Sequence, residues 1–485
     1  MRTRLFLAFA LAGILSPQFA HGAERTEYYD IDPRWEAVNN RSTAFSPKEI
    51  TQQFGYSRTQ HAGGKQLGEM GGIVTPAGEA AYYAKVIPKS TFDNKLTASG
   101  TLACPGKRPF HTLIGFFNAD TTNEWRTPNT IAIRIQGRGD VFFAYVEYTT
   151  SRWRAGADHP RGFTTDANPQ TGRLEMRGFN ADGQVHKWSI SYDPKANDGH
   201  GSIMVSIDDQ RAVCHVSPEH RLDGATFNRC GLLNVMKQWD SPGELWLDDV
   251  VVNGEVEDFA SDPGWDAKGN NRTYVSGNVR PRFDFGYSRT NFAGGKKVGE
   301  LGGLMFRGDI RDPDRMGSYG DRIEKLTLIK PMRASGTVSL RRGVSDSGTY
   351  IGFFNSKESL ETNPSQASAI PRSFLGIAVT GPSSEGFFMC PAFRDSHDNN
   401  GSSITGPRIL PNGEVHSWDF DYQPAQTGEG GEITVMLGDE STRMRLPTKV
   451  ASTDFDRFGL VTAWVDGNGQ HIYFDDLTYT YNQKN

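Results

Sequence analysis

The sequence predicts an all-β protein built from two tandem β-sandwiches. Its 485 residues include Gly 54 and Pro 25, and these residue types punctuate short elements. Between them lie short runs in which apolar residues alternate with other residues, as in strands with one buried face. Many short strands between turn signals are typical of a sandwich. The clearest runs are Thr130–Ile135, Val141–Tyr148, Ile203–Ile207, Glu244–Val252, Ile433–Leu437 and Ile472–Tyr479.

One stretch occurs twice and divides the chain into two copies. Residues 54–72 read FGYSRTQHAGGKQLGEMGG and residues 285–303 read FGYSRTNFAGGKKVGELGG, with 14 of 19 positions identical. Their 231-residue separation indicates two copies of one domain, because solenoid units have only roughly 20–50 residues. The many glycines of this glycine-rich stretch let the backbone turn tightly and pass close to another surface.

The first residues have the features of a secretory signal peptide. Met1–Arg4 is basic, Leu5–Leu15 is apolar, and small residues follow near Ala20–Ala23. The apolar run is shorter than the about 20 residues that cross a bilayer. We therefore expect residues 1–23 to be removed and the mature chain to be secreted or periplasmic, without membrane insertion.

Charge and cysteine content argue against a nucleic-acid-binding protein, a disulfide scaffold and a zinc-binding protein. A net charge of −5 and a pI near 6.2 predict no general attraction to nucleic acid. Four cysteines are too few for a disulfide scaffold, and no pair has zinc-ligand spacing. Cys214 and Cys230 are either a disulfide or two free thiols in an oxidising compartment. The second copy has no cysteine in the matching region, which favours free thiols.

Further motifs recur in the same order in both copies. Each copy opens with a leading segment, Asp32–Arg41 or Asp262–Arg272, that contains Asp-Pro-x-Trp and Asn-Asn-Arg. Each then has the glycine-rich stretch, a His-x-Trp strand that leads to Tyr-x-Pro, and a closing strand with two adjacent aspartates. We place domain 1 at residues 24–258 and domain 2 at residues 259–485.

This set of motifs resembles concanavalin A-like, laminin-G-type jelly rolls. The resemblance covers nearly all of the mature chain and implies two tandem jelly-roll sandwiches, similar to those of secreted bacterial carbohydrate-active proteins. Such folds include lectins, carbohydrate-binding modules, glycoside hydrolases and polysaccharide lyases, so the fold alone does not decide the activity.

Charged residues on the glycine-rich stretch have two interpretations. In the first interpretation they line a ligand cleft, and in the second they brace the turn through ion pairs. The residues are Arg58, His61, Lys65 and Glu69. Arg58, Lys65 and Glu69 recur in the second copy, which favours the brace, whereas His61 is replaced by Phe292.

The closing aspartates and the strand histidines have structural interpretations. In the jelly rolls that this chain resembles, an aspartate near the last strand often helps to bind a structural calcium ion. Asp248 and Asp475 are therefore either calcium ligands together with backbone carbonyls or hydrogen-bonded carboxylates. His186 and His416 are interpreted as satisfied core groups. We expect the chemistry to require no cofactor.

The two copies differ at three polar positions on neighbouring predicted strands. Alternation puts Arg134 on the face opposite to its isoleucine neighbours, and it puts Tyr145 and Glu147 on one face of the next strand. Domain 1 is therefore predicted to be the active domain and domain 2 a degenerate, accessory copy. In the second copy the three aligned residues are Ala378, Cys390 and Ala392.

Aromatic and charged residues flank these strands in the first copy. Aromatic faces stack on sugar rings, while guanidinium groups and carboxylates hydrogen-bond to hydroxyls. The alternative is a strand face that is merely exposed to solvent. The predicted contacts to a polysaccharide or oligosaccharide are Trp125, Arg126, Arg152, Trp153 and Glu175.

Three functions follow, of which a glycoside hydrolase ranks narrowly first. It needs two carboxylates, about 5–5.5 Å apart if retaining and about 6.5–9.5 Å apart if inverting. Glu147 is the first, and Glu175, Glu124 and Glu69 compete for the second.

A polysaccharide lyase ranks second. It needs a base, such as Tyr145 or His61, and a cation that neutralises a uronate carboxylate, such as Arg134 or Arg126. A non-catalytic carbohydrate-binding or surface interaction protein ranks third.

Overall fold

The computed structural model describes most of the chain from residue 22 onward. Residues 1–21, which make up nearly all of the predicted signal peptide, lie outside the described part, as do Glu124, Trp125 and Arg126. The described residues are 22–42, 47–106, 111–122, 127–157, 163–164, 167–236, 240–277, 282–344, 346–362, 368–381, 386–403, 405–425, 430–448, 450 and 452–482.

Within this part the chain is almost entirely strand, which confirms the predicted all-β class. The helices are α1 (Pro218–Asp223) and three 3-10 turns at Ala119–Thr121, Pro313–Arg315 and Glu358–Leu360. The strands of the first half are β1 (Ala23–Glu27), β2 (Glu36–Val38), β3 (Lys48–Ser57), β4 (Glu69–Val74), β5 (Tyr82–Thr91), β6 (Leu96–Ala103), β7 (His111–Phe117), β8 (Thr130–Arg138), β9 (Val141–Thr149), β10 (Ala155–Ala157), β11 (Phe179–Asn180), β12 (Val185–Asp193), β13 (Ser202–Ile207), β14 (Gln210–His215), β15 (Thr226–Asn234), β16 (Gly243–Val252) and β17 (Glu255–Glu257).

The second half repeats this order of elements. Its strands are β18 (Asp266–Lys268), β19 (Asn271–Ser276), β20 (Phe283–Ser288), β21 (Glu300–Phe306), β22 (Ser318–Thr327), β23 (Met332–Gly343), β24 (Gly348–Phe354), β25 (Phe374–Thr380), β26 (Phe388–Arg394), β27 (Asn400–Ser402), β28 (Val415–Gln423), β29 (Glu432–Leu437), β30 (Glu440–Arg445), β31 (Asp454–Val461) and β32 (Gly469–Asn482).

The strands form two sandwiches, each with two sheets. The first sandwich has the orders β10-β9-β8-β7-β15-β5-β18 and β14-β13-β12-β6-β16-β4-β3-β19, and the second has β20-β21-β32-β23-β28-β29-β30 and β2-β22-β31-β24-β25-β26-β27. In both sandwiches the apolar side chains of the two sheets meet in one core, as for Ile133 of β8 with Ile190 of β12 and Ile377 of β25 with Phe420 of β28.

The leading segments, together with the residues that flank them (22–42 in the first copy and 259–277 in the second), are exchanged between the two copies. In the first copy, β1 pairs with β32 and β2 pairs with β22, so this segment belongs to the second sandwich. In the second copy, β18 pairs with β5 and β19 pairs with β3, so this segment belongs to the first. The sheets therefore divide the chain differently from the repeat boundary near residue 258: residues 47–277 form one sandwich, and residues 22–42 with 282–482 form the other.

The repeated motifs of the leading segments make these exchanged contacts. Trp35 packs against Tyr319 and Tyr479 of the second copy, with ring centroids 5.8 and 6.0 Å away. Trp265 packs against Tyr83 of the first copy, with centroids 5.9 Å apart. Since both tryptophans are buried, the Asp-Pro-x-Trp motif anchors each leading segment to the opposite sandwich.

Two glycines of the repeated stretch make room for these segments. A Cβ on Gly299, at φ +130°, would lie 1.8 Å from the carbonyl oxygen of Tyr29. A Cβ on Gly68, at φ +137°, would lie 2.0 Å from the carbonyl oxygen of Phe259. The close approach expected of the glycine-rich stretch is thus made to the leading segment of the other copy.

The described part of the chain contains neither a disulfide bond nor a membrane-spanning helix. All four cysteines are free and buried, so Cys214 and Cys230 are not bonded to each other. In the described part of the chain, no helix combines the length and the apolar character needed to cross a bilayer.

Candidate functional site

The glycine-rich stretch has the geometry of a braced turn. Glu69 is fully buried, and its two carboxylate oxygens accept hydrogen bonds from the backbone N–H groups of His61 and Ala62, both at 2.7 Å. Arg58 and Lys65 are exposed. The brace is therefore a carboxylate that binds the backbone, and it does not consist of ion pairs.

His61 lies on the surface beside this turn. Its exposed ring stacks on Trp246, with centroids 4.7 Å apart and planes at 28°. Phe292 of the second copy contacts Tyr473 at the equivalent place, with centroids 4.9 Å apart and planes at 57°. A phenyl ring fills the same place, so packing accounts for the position of His61.

A second buried carboxylate lies close to each brace. Asp248 is fully buried and its Oδ1 accepts the N–H of Asp249 at 2.7 Å, whereas its Oδ2 lies beside the backbone of Gly64 without a hydrogen bond of normal geometry. Burial, with a smaller contribution from the charge of Glu69, raises the pKa of Asp248 to about 6. Gly64 is required here, because a Cβ at its position would lie 1.9 Å from Asp248 Oδ2.

The second copy repeats this arrangement, which fits calcium poorly. Burial raises the pKa of Asp475 to about 7, and Asp475 Oδ2 also lacks a partner. Both oxygens of Glu300 already accept backbone N–H groups. Calcium takes about six to eight oxygen ligands, and the described residues contain no group of three or more His, Cys, Asp or Glu side chains that could hold a metal ion. One unpaired oxygen per copy suits a protonated carboxylic acid better.

The histidine next to the repeated tryptophan is a satisfied structural group in the first copy. His186 is buried, with Nδ1 2.7 Å from Asp208 Oδ2 and Nε2 3.0 Å from the carbonyl oxygen of Asn180. Both ring nitrogens are therefore used within the protein.

Arg134, Tyr145 and Glu147 meet on the outer face of the first sandwich. The β8–β9 pairing is continuous from Thr130 to Arg138, and it places Arg134 directly opposite Tyr145. The isoleucines of β8 on either side of Arg134, which are Ile131, Ile133 and Ile135, enter the core. The predicted alternation along this strand is therefore correct. No bulge interrupts the register that this prediction requires.

These three side chains form a compact cluster with Arg134 at its centre. Arg134 Nε lies 2.9 Å from Glu147 Oε1, although its N–H bond is not directed at an acceptor. The guanidinium carbon lies 4.4 Å from the centroid of the Tyr145 ring. Arg134, Tyr145 and Glu147 are 8, 6 and 5% exposed. Charge and the aromatic face therefore hold the guanidinium in place.

Two further residues join the cluster from the same sheet face. His111 Nδ1 lies 3.4 Å from Arg134 Nη1, and Gln136 Oε1 accepts the Tyr145 hydroxyl at 2.9 Å. Gln136 lies two residues after Arg134 on β8, and His111 of β7 is paired with Gln136. Extending the comparison of the copies would have found them, because strand pairing aligns His111 with Gly348 and Gln136 with Thr380.

The matching face of the second sandwich is apolar. Ala378 lies opposite Cys390 in the paired strands β25 and β26, as Arg134 lies opposite Tyr145. Ala378 and Ala392 belong to a buried cluster with Tyr350, Phe354 and Phe374. The polar cluster is therefore a property of the first sandwich.

The residues predicted to contact a saccharide around this cluster lie in different places. Trp153 is buried against Phe387 of the second sandwich, with centroids 6.0 Å apart. It is therefore an inter-sandwich contact and not an exposed stacking surface for sugars. Arg152 is exposed, and Trp125 and Arg126 lie outside the described residues.

Glu175 belongs to an exposed segment at the border of the cluster. Residues 172–178 form no regular strand, so no strand register fixes the position of Glu175. Glu175 accepts a hydrogen bond from Asn168 Nδ2 at 3.0 Å. The next residue, Met176, places its sulfur 3.2 Å from the Tyr145 hydroxyl and covers that group.

Comparison with known proteins gives structural likeness alone. No model of a known protein family matches the sequence, and no curated protein matches it significantly. Domains LG4-5 of the mouse laminin alpha1 chain match 85% of this chain and 92% of their own, at 10% identity and a TM-score of 0.22.

Two other structures match parts of the chain. The Emp47p carbohydrate recognition domain matches 42% of this chain and 90% of its own, at 11% identity and a TM-score of 0.26. The endo-beta-1,4-glucuronan lyase from the fungus Trichoderma reesei matches 41% and 88%, at 11% identity and a TM-score of 0.28. Likenesses this distant carry no evidence about activity. The fold is seen in the sheets themselves: the described part of the chain forms two antiparallel β-sandwiches, each with two sheets.

Proposed function

We propose that the protein is a secreted carbohydrate-active enzyme and that its first sandwich is a polysaccharide lyase acting on a uronate-containing glycan. The observation that carries the proposal is the cluster of Arg134, Tyr145, Glu147, His111 and Gln136 on one sheet face. This set contains a cation, an acid–base hydroxyl and a single carboxylate. Such a composition suits β-elimination better than hydrolysis, although the sequence alone narrowly favours a hydrolase.

The elimination follows from the chemistry of these groups. Tyr145 first loses its hydroxyl proton to solvent. Its phenolate oxygen then takes the proton from C5 of the uronate, the C5–H electron pair forms the C4–C5 double bond, and the C4–O bond breaks with its electron pair going to the leaving oxygen. The leaving oxygen then takes up a proton, for which the same hydroxyl is the nearest donor. Protons balance within the step, so it needs neither an oxidant nor a cofactor.

Arg134 is the residue that would hold the uronate carboxylate. Guanidinium groups bind carboxylates in a bidentate manner, and neutralising that carboxylate makes the C5 proton more acidic. Glu147 keeps the guanidinium next to the Tyr145 ring by charge, and Gln136 orients the Tyr145 hydroxyl. Met176 covers this hydroxyl, so substrate entry requires the side chain of Met176 to move aside.

A hydrolase is the second candidate. It would use Glu147 with a second carboxylate across the scissile bond. Glu175 is the described candidate for this role, because it directly precedes the methionine that contacts Tyr145. Glu69 does not suit the role, since its oxygens hold the backbone of the braced turn in the other sheet.

Incubation with a panel of neutral and uronate glycans tests the proposal. A lyase acts only on the uronate glycans of the panel, and it releases unsaturated products that absorb ultraviolet light. New reducing ends without this absorbance indicate a hydrolase, and retention without products indicates a binding protein. Either of these results would overturn the lyase proposal. When Tyr145→Phe is assayed on the same panel, Tyr350→Phe is its matched control, because Tyr350 is a buried tyrosine on the equivalent face of the second sandwich.

Export is part of the proposal and has its own test. The features of residues 1–23 predict cleavage near Glu24. N-terminal sequencing of the protein recovered outside the cytoplasm should begin near this residue. A chain that retains Met1 and stays inside the cell would contradict secretion.

A further inference from the structure

A cavity of about 350 Å³ opens on the second sandwich, away from the polar cluster of the first. It lies where β20 and β21 meet β32, and its wall includes Arg282, Asp284, Arg342, His471 and Tyr473. Neither the lyase nor the hydrolase hypothesis assigns a role to these residues.

Cations outnumber carboxylates in this wall. Arg41, Arg282 and Arg342 are positive, and Asp284 is the one acidic residue among the described residues that line the cavity. Arg282 Nη1 donates to the carbonyl oxygen of Gly277, an uncharged acceptor, at 2.8 Å. Arg41 Nε lies 3.9 Å from Asp284 Oδ1, and both side chains are more than half exposed, so this pair is weak. The cavity therefore has a net positive charge.

The positive charges around the cavity contribute to a lowered pKa of His471. Its pKa is lowered to about 4, first by burial and then by the charges of Arg342, Arg282 and Arg341, with Asp284 acting in the opposite direction. At neutral pH the imidazole is uncharged, so it contributes a hydrogen-bonding group.

An aromatic surface adjoins these cations. Tyr473 lines the cavity and packs against Phe292, with centroids 4.9 Å apart. The guanidinium carbon of Arg341 lies 3.8 Å from the centroid of the Phe292 ring. A sugar ring can stack on an aromatic face while its anionic substituent meets the arginines.

The equivalent cavity of the first sandwich lacks this character. It measures about 460 Å³ and presents Glu244 and Trp246 where the second sandwich presents His471 and Tyr473. Trp246 Nε1 donates to Glu244 Oε1 at 2.8 Å. None of the described residues that line this cavity is an arginine or a lysine. The two copies therefore differ in charge at matched positions.

We propose that the cavity of the second sandwich binds an acidic saccharide, with a carboxylate or sulfate group against Arg282 and Arg342 and the sugar ring on Tyr473. The second copy would then be a binding module for anionic glycans. This inference is independent of the lyase proposal, because it concerns a different sandwich and would hold if the first had no activity.

Calorimetric titration of the full chain with three saccharides tests the proposal. The probes are an oligogalacturonate for the carboxylate, a sulfated dextran fragment for the sulfate, and a neutral malto-oligosaccharide. The Tyr145→Phe background prevents loss of the uronate probe through turnover. We expect binding of one or both acidic probes, which identifies the group recognised, and weaker binding at high salt. Equal binding of the neutral probe would overturn the proposal.

Two substitutions locate the binding in the cavity. His471→Glu introduces the residue of the first copy, and Arg282→Gln removes one cation. Each should weaken binding roughly tenfold or more, since charge-assisted hydrogen bonds are lost or opposed. Arg443→Gln is the matched control, because the Arg443 side chain is 71% exposed on β30. Arg342 is left unchanged, since it donates to the carbonyl oxygen of Gly78 in the first copy.

Nuclear magnetic resonance of the histidine rings gives a second readout. A bound anion favours the imidazolium form, so the pKa of His471 should rise when the acidic probe binds. If folded Arg282→Gln and His471→Glu proteins bind like the parent, or if the pKa of His471 does not change on binding, the cavity is not the site.

Discussion

The indole ring of Trp35 lies edge-on to the ring of Tyr479, with centroids 6.0 Å apart, although the two residues are near opposite ends of the chain. Trp35 belongs to the leading segment of the first copy and Tyr479 to the closing strand of the second. Trp35 also packs on Tyr319, and Trp265 makes the matching contact with Tyr83 of the first sandwich. Each sandwich is therefore completed by a segment of the other copy, which couples the stability of the two copies.

Replacing either tryptophan should destabilise the sandwich that receives it. Trp35→Ala removes a buried indole from the second sandwich, so it should lower the free energy of unfolding of that sandwich by about 3–5 kcal/mol. Trp265→Ala should do the same to the first. Hydrogen exchange resolved by peptide measures both effects.

Each variant is the control for the other, because the substitution and the motif are identical. The exchange interpretation requires Trp35→Ala to lower protection mainly in residues 282–482. Loss of protection mainly in residues 47–277 would show that the leading segment belongs to its own copy.

Gly299→Ala should destabilise the second sandwich through a steric clash. Its Cβ would lie 1.8 Å from the carbonyl oxygen of Tyr29, and its backbone has φ +130°. Strain and overpacking of this kind cost roughly 1–3 kcal/mol. Gly401→Ala is the control, since its Cβ would meet Met444 Sδ at 3.4 Å. Equal unfolding midpoints in denaturant for the two variants would contradict the close approach.

The sequence predicts the strands and the duplication, but not the exchange of leading segments. Alternation fixes which residues of a strand enter the core, so Ile133 and its neighbours could be placed correctly. A repeat shows that two segments are alike, and Trp35 finds the same kind of tyrosine surface on either copy. The choice of copy depends on the path of the chain in space, which no local pattern encodes.

The candidate site was predictable where it depends on strand register and not where it depends on packing between copies. Arg134 and Tyr145 are neighbours because β8 and β9 pair without a bulge. Trp153 has the same sequence character as a sugar-stacking tryptophan, yet it packs on Phe387 of the other sandwich. An aromatic residue after a strand suits both roles, so its sequence context cannot separate them.

The buried carboxyl groups predict a decrease in stability with rising pH. The pKa of Asp475 is raised to about 7 in the folded protein, from an ordinary value of 3.8. Between these values the folded state binds more protons than the unfolded state, so the free energy of unfolding should fall as the pH rises. Asp475→Asn should reduce this slope, as measured by denaturant unfolding from pH 4 to pH 8. An unchanged slope would contradict the raised pKa.

Chelation distinguishes a calcium site from a protonated aspartate. A calcium ion bound only to the folded state would stabilise it, and its removal would lower the melting temperature. Each copy offers one unpaired carboxylate oxygen, on Asp248 or Asp475, which is fewer than calcium requires. We therefore expect the melting temperature to be the same with and without EDTA. A decrease that added calcium reverses would establish the metal site.

Substitutions in the polar cluster should separate elimination from hydrolysis. Tyr145→Phe removes the acid–base hydroxyl, so it should lower the turnover of a uronate glycan by about 10²–10⁴-fold if the enzyme is a lyase. Glu147→Gln keeps the shape but removes the charge that holds Arg134, and its effect on a lyase should be smaller. A hydrolase predicts the reverse order, because Glu147 would then be the acid or base.

The exposed residues of the braced turn provide the opposing test of where the chemistry occurs. Arg58→Gln and Lys65→Gln should turn over substrate like the parent, because these side chains are exposed and the turn is held by Glu69. Initial rates and melting temperatures are measured for both variants alongside Tyr145→Phe. The cluster would be the wrong surface if Tyr145→Phe and Glu147→Gln kept parental rates while a folded Arg58 or Lys65 variant lost activity. The expected result is loss of turnover at Tyr145 and none at Arg58 or Lys65, because the outer face of β8 and β9 brings the cation, the hydroxyl and the carboxylate of the proposed site within contact of one another.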